Sequence, residues 1–227
     1  MHVQAIKPVN RTKGEAKRFY DDLSKFYDNL VGSSERKVAK KALDRLNVRE
    51  GESVLEIGFG TGRCLKRISE RVGQRGRAYG IDISFGMLDV AGRRLKEAGL
   101  MERTDLCGGD GASLPYGEGV FDAVFMSFTL ELFDTPEIPR VLREIERVLK
   151  KGGRLGIVGM SKENGGAMLR LYEWAHGKWP KYVDCRPIYL EEAIMHAGYS
   201  IEGKEHARIF KLPIEIVIAT NAFGHEP

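Results

Sequence analysis

The chain has 227 residues, 42% of them hydrophobic and 30% charged, and its 36 basic and 32 acidic residues leave a net charge of +4. That length and mixture exclude a disordered or collagen-like chain and allow one domain with a full core. The longest stretch free of Asp, Glu, Lys and Arg is ten residues, Ile216 to His225, against the ~20 apolar residues that a membrane-spanning helix needs.

From Glu15 to Asn47 the apolar residues keep helical spacing. Phe19, Leu23, Phe26, Tyr27 and Leu30 lead, and Val38, Ala42 and Leu46 follow a break at Gly32. Residues 1–48 are read as a helical segment covering the site, and 49–227 as the main domain. There the texture becomes strand and helix in alternation. SVLEI (53–57) is an apolar run between Gly51 and Gly58, and RAYGID (77–82), a weaker run around Leu106, FDAVFM (121–126) and RLGIVGM (154–160) are similar. Between the last two, Ile138, Val141, Leu142, Ile145, Val148 and Leu149 form one helical stripe, with Gly152-Gly153 as its stop.

Strands joined by helices imply right-handed crossovers and a parallel sheet covered on both faces. The end departs from that rule. After a helix near Tyr189–Ala197 come two extended runs, 200–210 and 212–220, about one residue apart. So tight a link joins only antiparallel neighbours. The expected fold class is α/β: a Rossmann-like, seven-stranded, mostly parallel sheet with an antiparallel C-terminal hairpin and helices on both faces.

The strongest local signal is VLEIGFGTGRC, residues 54–64. A buried strand carries Glu56, and Gly58, Gly60 and Gly62 then alternate up to a helix start at Arg63. Glycines let the backbone approach a ligand closely, and the amides of a new helix point at its negative or polar groups. Asp82 ends the second strand, twenty residues after Gly62, where a carboxylate can accept both hydroxyls of a ribose. Asp110 follows the third strand in GGDGASLPY, where a carboxylate can accept an exocyclic adenine amino group. A nicotinamide dinucleotide would require glycine at position 63, which is Arg63.

Together with LKKGGRLGIVGM (149–160), these motifs resemble those of class I S-adenosylmethionine-dependent methyltransferases, over about residues 15 to 221. Within that class, YDDLSKFYDNL, GDGASLPY and VDCRPIYLEEAIMHAGY are similar to segments of the ubiquinone/menaquinone-biosynthesis and bacterial phospholipid methyltransferases. The resemblance implies S-adenosyl-L-methionine as cofactor. It gives Gly58, Gly60 and Gly62 to the methionyl part, with Glu56 orienting that loop and reaching the amino group through water. Asp82 would hold the ribose hydroxyls, Ile83 and Met87 would pack near the adenine, and Asp110 and Gly111 would read its edge. Ser127 would offer a backbone carbonyl to the cofactor amine. Phe59 departs from the small residue or Cys more usual in relatives, with only a packing consequence expected.

Methyl transfer from a sulfonium needs an acceptor held in line and water kept out, and a base only where the acceptor must lose a proton. SFTLELF (127–133) is not the Asn/Asp-Pro-Pro-aromatic motif of adenine and glutamine N-methyltransferases, and no Pro-Cys pair is present for cytosine C5 methylation. Residues 162–188 are the lid candidate, with Met168, Leu171, Tyr172, Trp174 and Trp179 expected to line an apolar acceptor pocket. Its one titratable group, His176, is the weak catalytic candidate. A plain amphipathic helix would look the same.

The expected acceptor is small, and apolar or lipid-like: a quinol-type ring or a phospholipid amine. An RNA methyltransferase, suggested by Lys7, Arg11, Lys13, Lys17 and Arg18, and a non-catalytic cofactor-binding module remain the alternatives, nucleic acid being disfavoured for want of a dense basic stripe interleaved with aromatics. The five histidines and three cysteines show no metal-ligand spacing, so no metal is expected, and Cys64 reads as a small core residue. Three scattered cysteines and an N-terminus without an apolar run ahead of a cleavage site lead to a cytoplasmic expectation, with a peripheral contact at an anionic membrane surface.

Overall fold

Apolar runs bounded by glycine build one seven-stranded sheet in the computed structural model, which describes residues 6, 8, 9, 11–30, 32–163, 166–178 and 185–221. In chain order the strands are β1 (Ser53–Ile57), β2 (Arg77–Asp82), β3 (Thr104–Gly108), β4 (Phe121–Ser127), β5 (Leu149–Met160), β6 (Tyr199–Ile209) and β7 (Leu212–Asn221). Their spatial order is β3-β2-β1-β4-β5-β7-β6. All neighbours from β3 to β5 pair parallel, whereas β7 runs antiparallel to both β5 and β6. The chain leaves β1 toward β3, then returns to β4 on the other side of β1. Direction reverses there, which opens a crevice at the C-terminal ends of β1 and β4.

The helices are α1 (Lys13–Leu23), α2 (Tyr27–Leu30), α3 (Ser33–Leu46), α4 (Arg63–Val72), α5 (Phe85–Glu97), α6 (Ile138–Val148), α7 (Gly166–Lys178) and α8 (Leu190–His196). Alternate strand residues feed two cores. Val54, Ala123 and Phe125 pack with α3, α4 and α5, whereas Leu55, Ile57, Val124 and Met126 pack with α6 and α8. A sheet buried on both faces needs apolar residues at successive positions, which is why these strands read as continuous runs.

Local chemistry sets several boundaries. Thr12 and Glu15 form a reciprocal capping box at α1, Glu15 N–H donating to Thr12 Oγ1 over 3.3 Å and Thr12 N–H to Glu15 Oε2 over 2.8 Å. Ser84 caps α5 by accepting from Met87 N–H at 3.1 Å. Two boundaries differ from expectation. The helical stripe ends at Val148, because Leu149 already pairs with Phe121 as the first residue of β5; its side chain joins the same core as the stripe, which hid the change. The β6–β7 turn holds two residues rather than one, Phe210 (φ 49°) and Lys211 (φ 69°). Paired positive φ values match the twist of antiparallel strands.

Candidate functional site

The turn after β1 sits on the crevice. Gly58 has φ 71°, and a Cβ there would lie 2.3 Å from the Thr129 side chain, so only glycine lets the loop close on the end of β4. Gly60 (φ 52°) faces open space, with nothing within 4 Å of where a Cβ would stand. Gly62 begins α4. Asp82, at the end of β2, ties this loop down: its carboxylate accepts from Gly60 N–H at 2.8 Å and from Ser84 N–H at 2.9 Å. Burial pushes its pKa up, against the lowering effect of those amides.

A cavity of about 400 Å³ lies over these strand ends, within the ~300–1,000 Å³ typical of small-molecule sites. Gly58, Gly60, Asp82, Ile83, Met87, Asp110, Gly111 and Ser127 all line it. A second cavity of about 560 Å³ adjoins it across the glycine loop, sharing Tyr27, Gly58, Gly60, Ser127 and Phe128. Glu56 lines this second cavity rather than the first. It is 2% exposed, and its Oε2 has no hydrogen-bond partner. Burial, and then the neighbouring Asp82, push its pKa well up. Basic side chains of α3 and α4, including Arg36, Lys40, Lys66 and Arg67, stand on the outer wall. Phe128 (φ 53°) holds a left-handed backbone between the two cavities.

The N-terminal helices roof the first cavity with Lys13, Ala16, Tyr20 and Tyr27. The contacts that dock them were not legible from spacing, because each joins residues far apart in the chain. Asp21 Oδ1 accepts from Ser84 Oγ (2.7 Å) and Gly86 N–H (2.9 Å). Asp28 accepts from Thr61 Oγ1 (2.7 Å), Arg63 Nε (2.8 Å) and Arg94. Burial alone would raise the Asp28 carboxyl, but those hydrogen bonds outweigh it and hold its pKa at about 2. Lys13 Nζ lies 2.6 Å from Asp110 Oδ2 and 2.5 Å from Glu137 Oε1.

On the far wall, the fully buried Arg186 donates from Nε to the Glu131 carbonyl (3.1 Å), from Nη1 to Thr135 Oγ1 (2.7 Å) and from Nη2 to the Phe133 carbonyl. It thereby fixes the segment whose Leu132, Phe133 and Asp134 line the cavity. An arginine inside the apolar stretch CRPIYL was the available sequence signal.

Of the residues expected to line an acceptor pocket on 162–188, the described ones line neither cavity. Leu169, Tyr172 and His176 turn inward on α7, Leu169 joining the core and Tyr172 Oη donating to the Cys185 carbonyl at 2.8 Å. The other face points outward, leaving Met168, Leu171 and Trp174 at 38, 57 and 50% exposure. One helix packed on one side of a sheet buries only one of its two apolar faces. His176 is buried, and no described residue of 162–188 lines either cavity. Trp179, Lys181 and Tyr182 lie outside the described residues. Cys64 is half-buried, packing against the core from the wall of the second cavity, and burial pushes its thiol up, away from a reactive thiolate.

The methyltransferase-domain family pattern matches residues 54–153. The chain is 37% identical over 142 residues to the demethylmenaquinone methyltransferase of Anoxybacillus flavithermus, covering 61% of this chain and 59% of that protein. It therefore spans about three-fifths of that relative's length. Against the demethylmenaquinone methyltransferase of Listeria welshimeri it is 31% identical over 161 residues, covering 69% of this chain and 67% of the relative. Among solved structures, the cyclase SpnF matches with a TM-score of 0.76 at 21% identity, over 96% of this chain and 98% of that one. That likeness concerns the fold alone.

Proposed function

The chain belongs to the class I S-adenosylmethionine-dependent methyltransferases, whose cofactor is S-adenosyl-L-methionine, and from that premise we propose that it methylates a small, ring-bearing or lipid-like acceptor of the quinol type. The observation that carries the reading is the single cavity joining Gly58, Gly60, Asp82 and Asp110, with the buried, partnerless Glu56 oxygen just behind it. Bound there, the cofactor supplies an electrophilic methyl group on a sulfonium.

The residues present fit that group. The open space over Gly60 is a cradle that a Cβ would fill. Asp82 offers carboxylate lone pairs to the ribose hydroxyls while keeping its bonds to Gly60 and Ser84. Asp110 and Gly111 face the adenine edge, and the Ser127 carbonyl and Glu56 favour a cationic amine near Gly58. Tyr27 and Phe128, at the junction of the two cavities, position an acceptor ring and keep water from it.

The quinol-type acceptor is supported by the demethylmenaquinone methyltransferases among the relatives. Three of the five N-terminal cations that suggest an RNA acceptor are engaged within the protein: Lys13 is held by Asp110 and Glu137, Lys17 by Asp21, and Arg11 stacks on Phe19 and Tyr20. Among the described residues no helix is long and apolar enough to cross a membrane. A peripheral contact has a candidate in the outer face of α7, whose exposed residues are Gly166, Ala167, Met168, Arg170, Leu171, Trp174 and Lys178, without an acid among them. An apolar and cationic helix face suits an anionic lipid surface.

Calorimetry in chelator should show binding of S-adenosylmethionine and S-adenosylhomocysteine; equal or tighter binding of NAD would overturn the cofactor assignment. Incubation with methyl-labelled cofactor and cell extract, followed by partition, should place label in the organic phase. Label confined to RNA, protein or water-soluble metabolites would overturn the acceptor assignment. Cosedimentation with phosphatidylglycerol vesicles that is lost in Leu171→Asp would establish the α7 contact, and equal sedimentation of both proteins would remove it.

A further inference from the structure

Helix α1 roofs the cavity although none of its own residues is buried, so its position depends on a few polar contacts. The two ends of the helix are held differently. At its C-terminal end the backbone approaches α5 so closely that a Cβ on Gly86 would stand 2.8 Å from the Asp21 carbonyl oxygen and the Ser24 hydroxyl. Asp21 adds bonds to Ser84 and Gly86 there, and Lys17 Nζ lies 4.3 Å from the Phe85 ring centroid. At its N-terminal end the tie is a side-chain tip, Lys13 Nζ, between Asp110 and Glu137. Beyond it, Val9 N–H reaches Asp134 Oδ1 over 3.2 Å.

Both partners of Lys13 line the cavity, as Lys13 itself does. The two carboxylates differ in what else is asked of them. Asp110 Oδ1 accepts from Ala112 N–H at 2.9 Å and Oδ2 is held by Lys13, so each oxygen has one donor before a ligand arrives. Glu137 sits at the start of α6 on the opposite wall, and the cofactor assignment gives it no role. An ammonium ion and an adenine amino group are both hydrogen donors, and the ammonium seated 2.6 Å from Asp110 Oδ2 occupies the approach that a second donor needs there.

We propose that Lys13 is an internal competitor for the adenine subsite, and that Glu137 is the acceptor to which it is handed when a ligand amino group takes Asp110. The exchange keeps α1 tethered to the cavity wall in both arrangements, because Lys13 already contacts Glu137 before Asp110 is released. It is a positioning device: Lys13 reports occupancy of the adenine end to the roof. The inference rests on reading Asp110 as the adenine partner. The side chains of Lys13, Asp110 and Glu137 are 41, 32 and 34% exposed, so salt weakens the pairing and with it the competition.

The test is calorimetry of S-adenosylhomocysteine with the full chain and three variants, each first checked for an unchanged melting transition. Lys13→Met, which removes the competitor, should tighten binding at least threefold. Glu137→Gln, which strands Lys13 on Asp110, should weaken it at least threefold. Lys13→Arg should return the affinity to that of the unmodified chain. Raising salt from 50 to 300 mM should strengthen binding to the unmodified chain and leave Lys13→Met unmoved. Weaker binding by Lys13→Met, or no change in Glu137→Gln, would overturn the competition while leaving the cavity's assignment in place. Failure of S-adenosylhomocysteine to bind any form, the unmodified chain included, would overturn both.

Discussion

The two ends of the sheet solve the same two problems differently. Each buries a glutamate and each turns the chain through positive φ. At the crevice, Glu56 is 2% exposed, and one of its carboxylate oxygens has no partner. At the hairpin, Glu215 is 0% exposed and its oxygens also lack a well-formed hydrogen bond, but it stands 2.9 Å from Lys204 Nζ, a cation that also contacts Glu163 (3.2 Å) and Glu191. In the turn after β1 positive φ falls on Gly58, Gly60 and Gly62, with Phe128 the one non-glycine to share it at the crevice, whereas at the hairpin it falls on Phe210 and Lys211. Burial of an acid is therefore not by itself the mark of a site. What distinguishes the crevice is a buried carboxylate with no ion pair among the described residues, beside a backbone kept bare. Glu163, His206 and Glu215 bring ligand-type atoms within 4.8 Å of one another, yet the cation on two of those carboxylates is the chain's own lysine.

Removing that lysine should have the largest effect. Lys204→Met leaves Glu215 buried and unpaired, which costs about 3–5 kcal/mol and lowers the melting temperature by roughly 6–20 °C. Cofactor affinity should stay within twofold, and a large loss of affinity at unchanged stability would erase the distinction between the two ends. Next comes Asp82→Ala at the crevice. It removes hydrogen bonds to a carboxylate worth about 1.5–3 kcal/mol each, so cofactor affinity should fall at least tenfold. Unchanged affinity with an unchanged melting curve would reduce Asp82 to a turn residue.

Glu56→Gln tests the uncompensated charge with the opposite sign for stability. The folded protein holds this group protonated to higher pH than the unfolded chain does, so its ionisation weakens the fold. The penalty begins as pH rises past the ordinary value of 4.5 and levels off above the raised folded value. The variant should therefore melt above the unmodified chain at pH 7, converge with it below pH 4.5 and bind cofactor more weakly. A lower melting temperature at pH 7 would show that Glu56 is compensated after all. The smallest effect belongs to the hairpin turn. A left-handed non-glycine residue costs roughly 1–2 kcal/mol, so replacing Phe210-Lys211 with Asn-Gly should raise the melting temperature by about 2–8 °C, without changing cofactor affinity.

The strands were readable because glycine brackets short apolar runs at Ser53–Ile57 and Arg77–Asp82, and the crevice because Gly58, Gly60, Asp82 and Asp110 are spaced by one recurring turn-and-strand unit. What spacing does not encode is which of two similar faces meets the core. Met168, Leu171 and Trp174 repeat as regularly as a buried stripe does, and only the position of α7 against the sheet decides that Leu169 goes inward. Long-range polar ties are equally silent: Lys13 and Asp110 are 97 residues apart and Asp28 and Arg94 are 66 apart. Leu149 reads as helical in the sequence because helix stripe and strand start feed one core.

Strand β7 follows β6 in the chain yet lies between β5 and β6 in the sheet. During synthesis, then, β5 is exposed from the ribosome well before its antiparallel partner exists, with Leu155, Ile157 and Val158 along an open edge. Strand β6 emerges earlier than β7 but has nothing to pair with until β7 arrives and serves both sides at once. The crevice can be assembled from β1 to β4 while this half waits. Until β7 is made, the topology leaves the β5 edge without its partner, an apolar strand edge of the kind that is prone to pair with other chains.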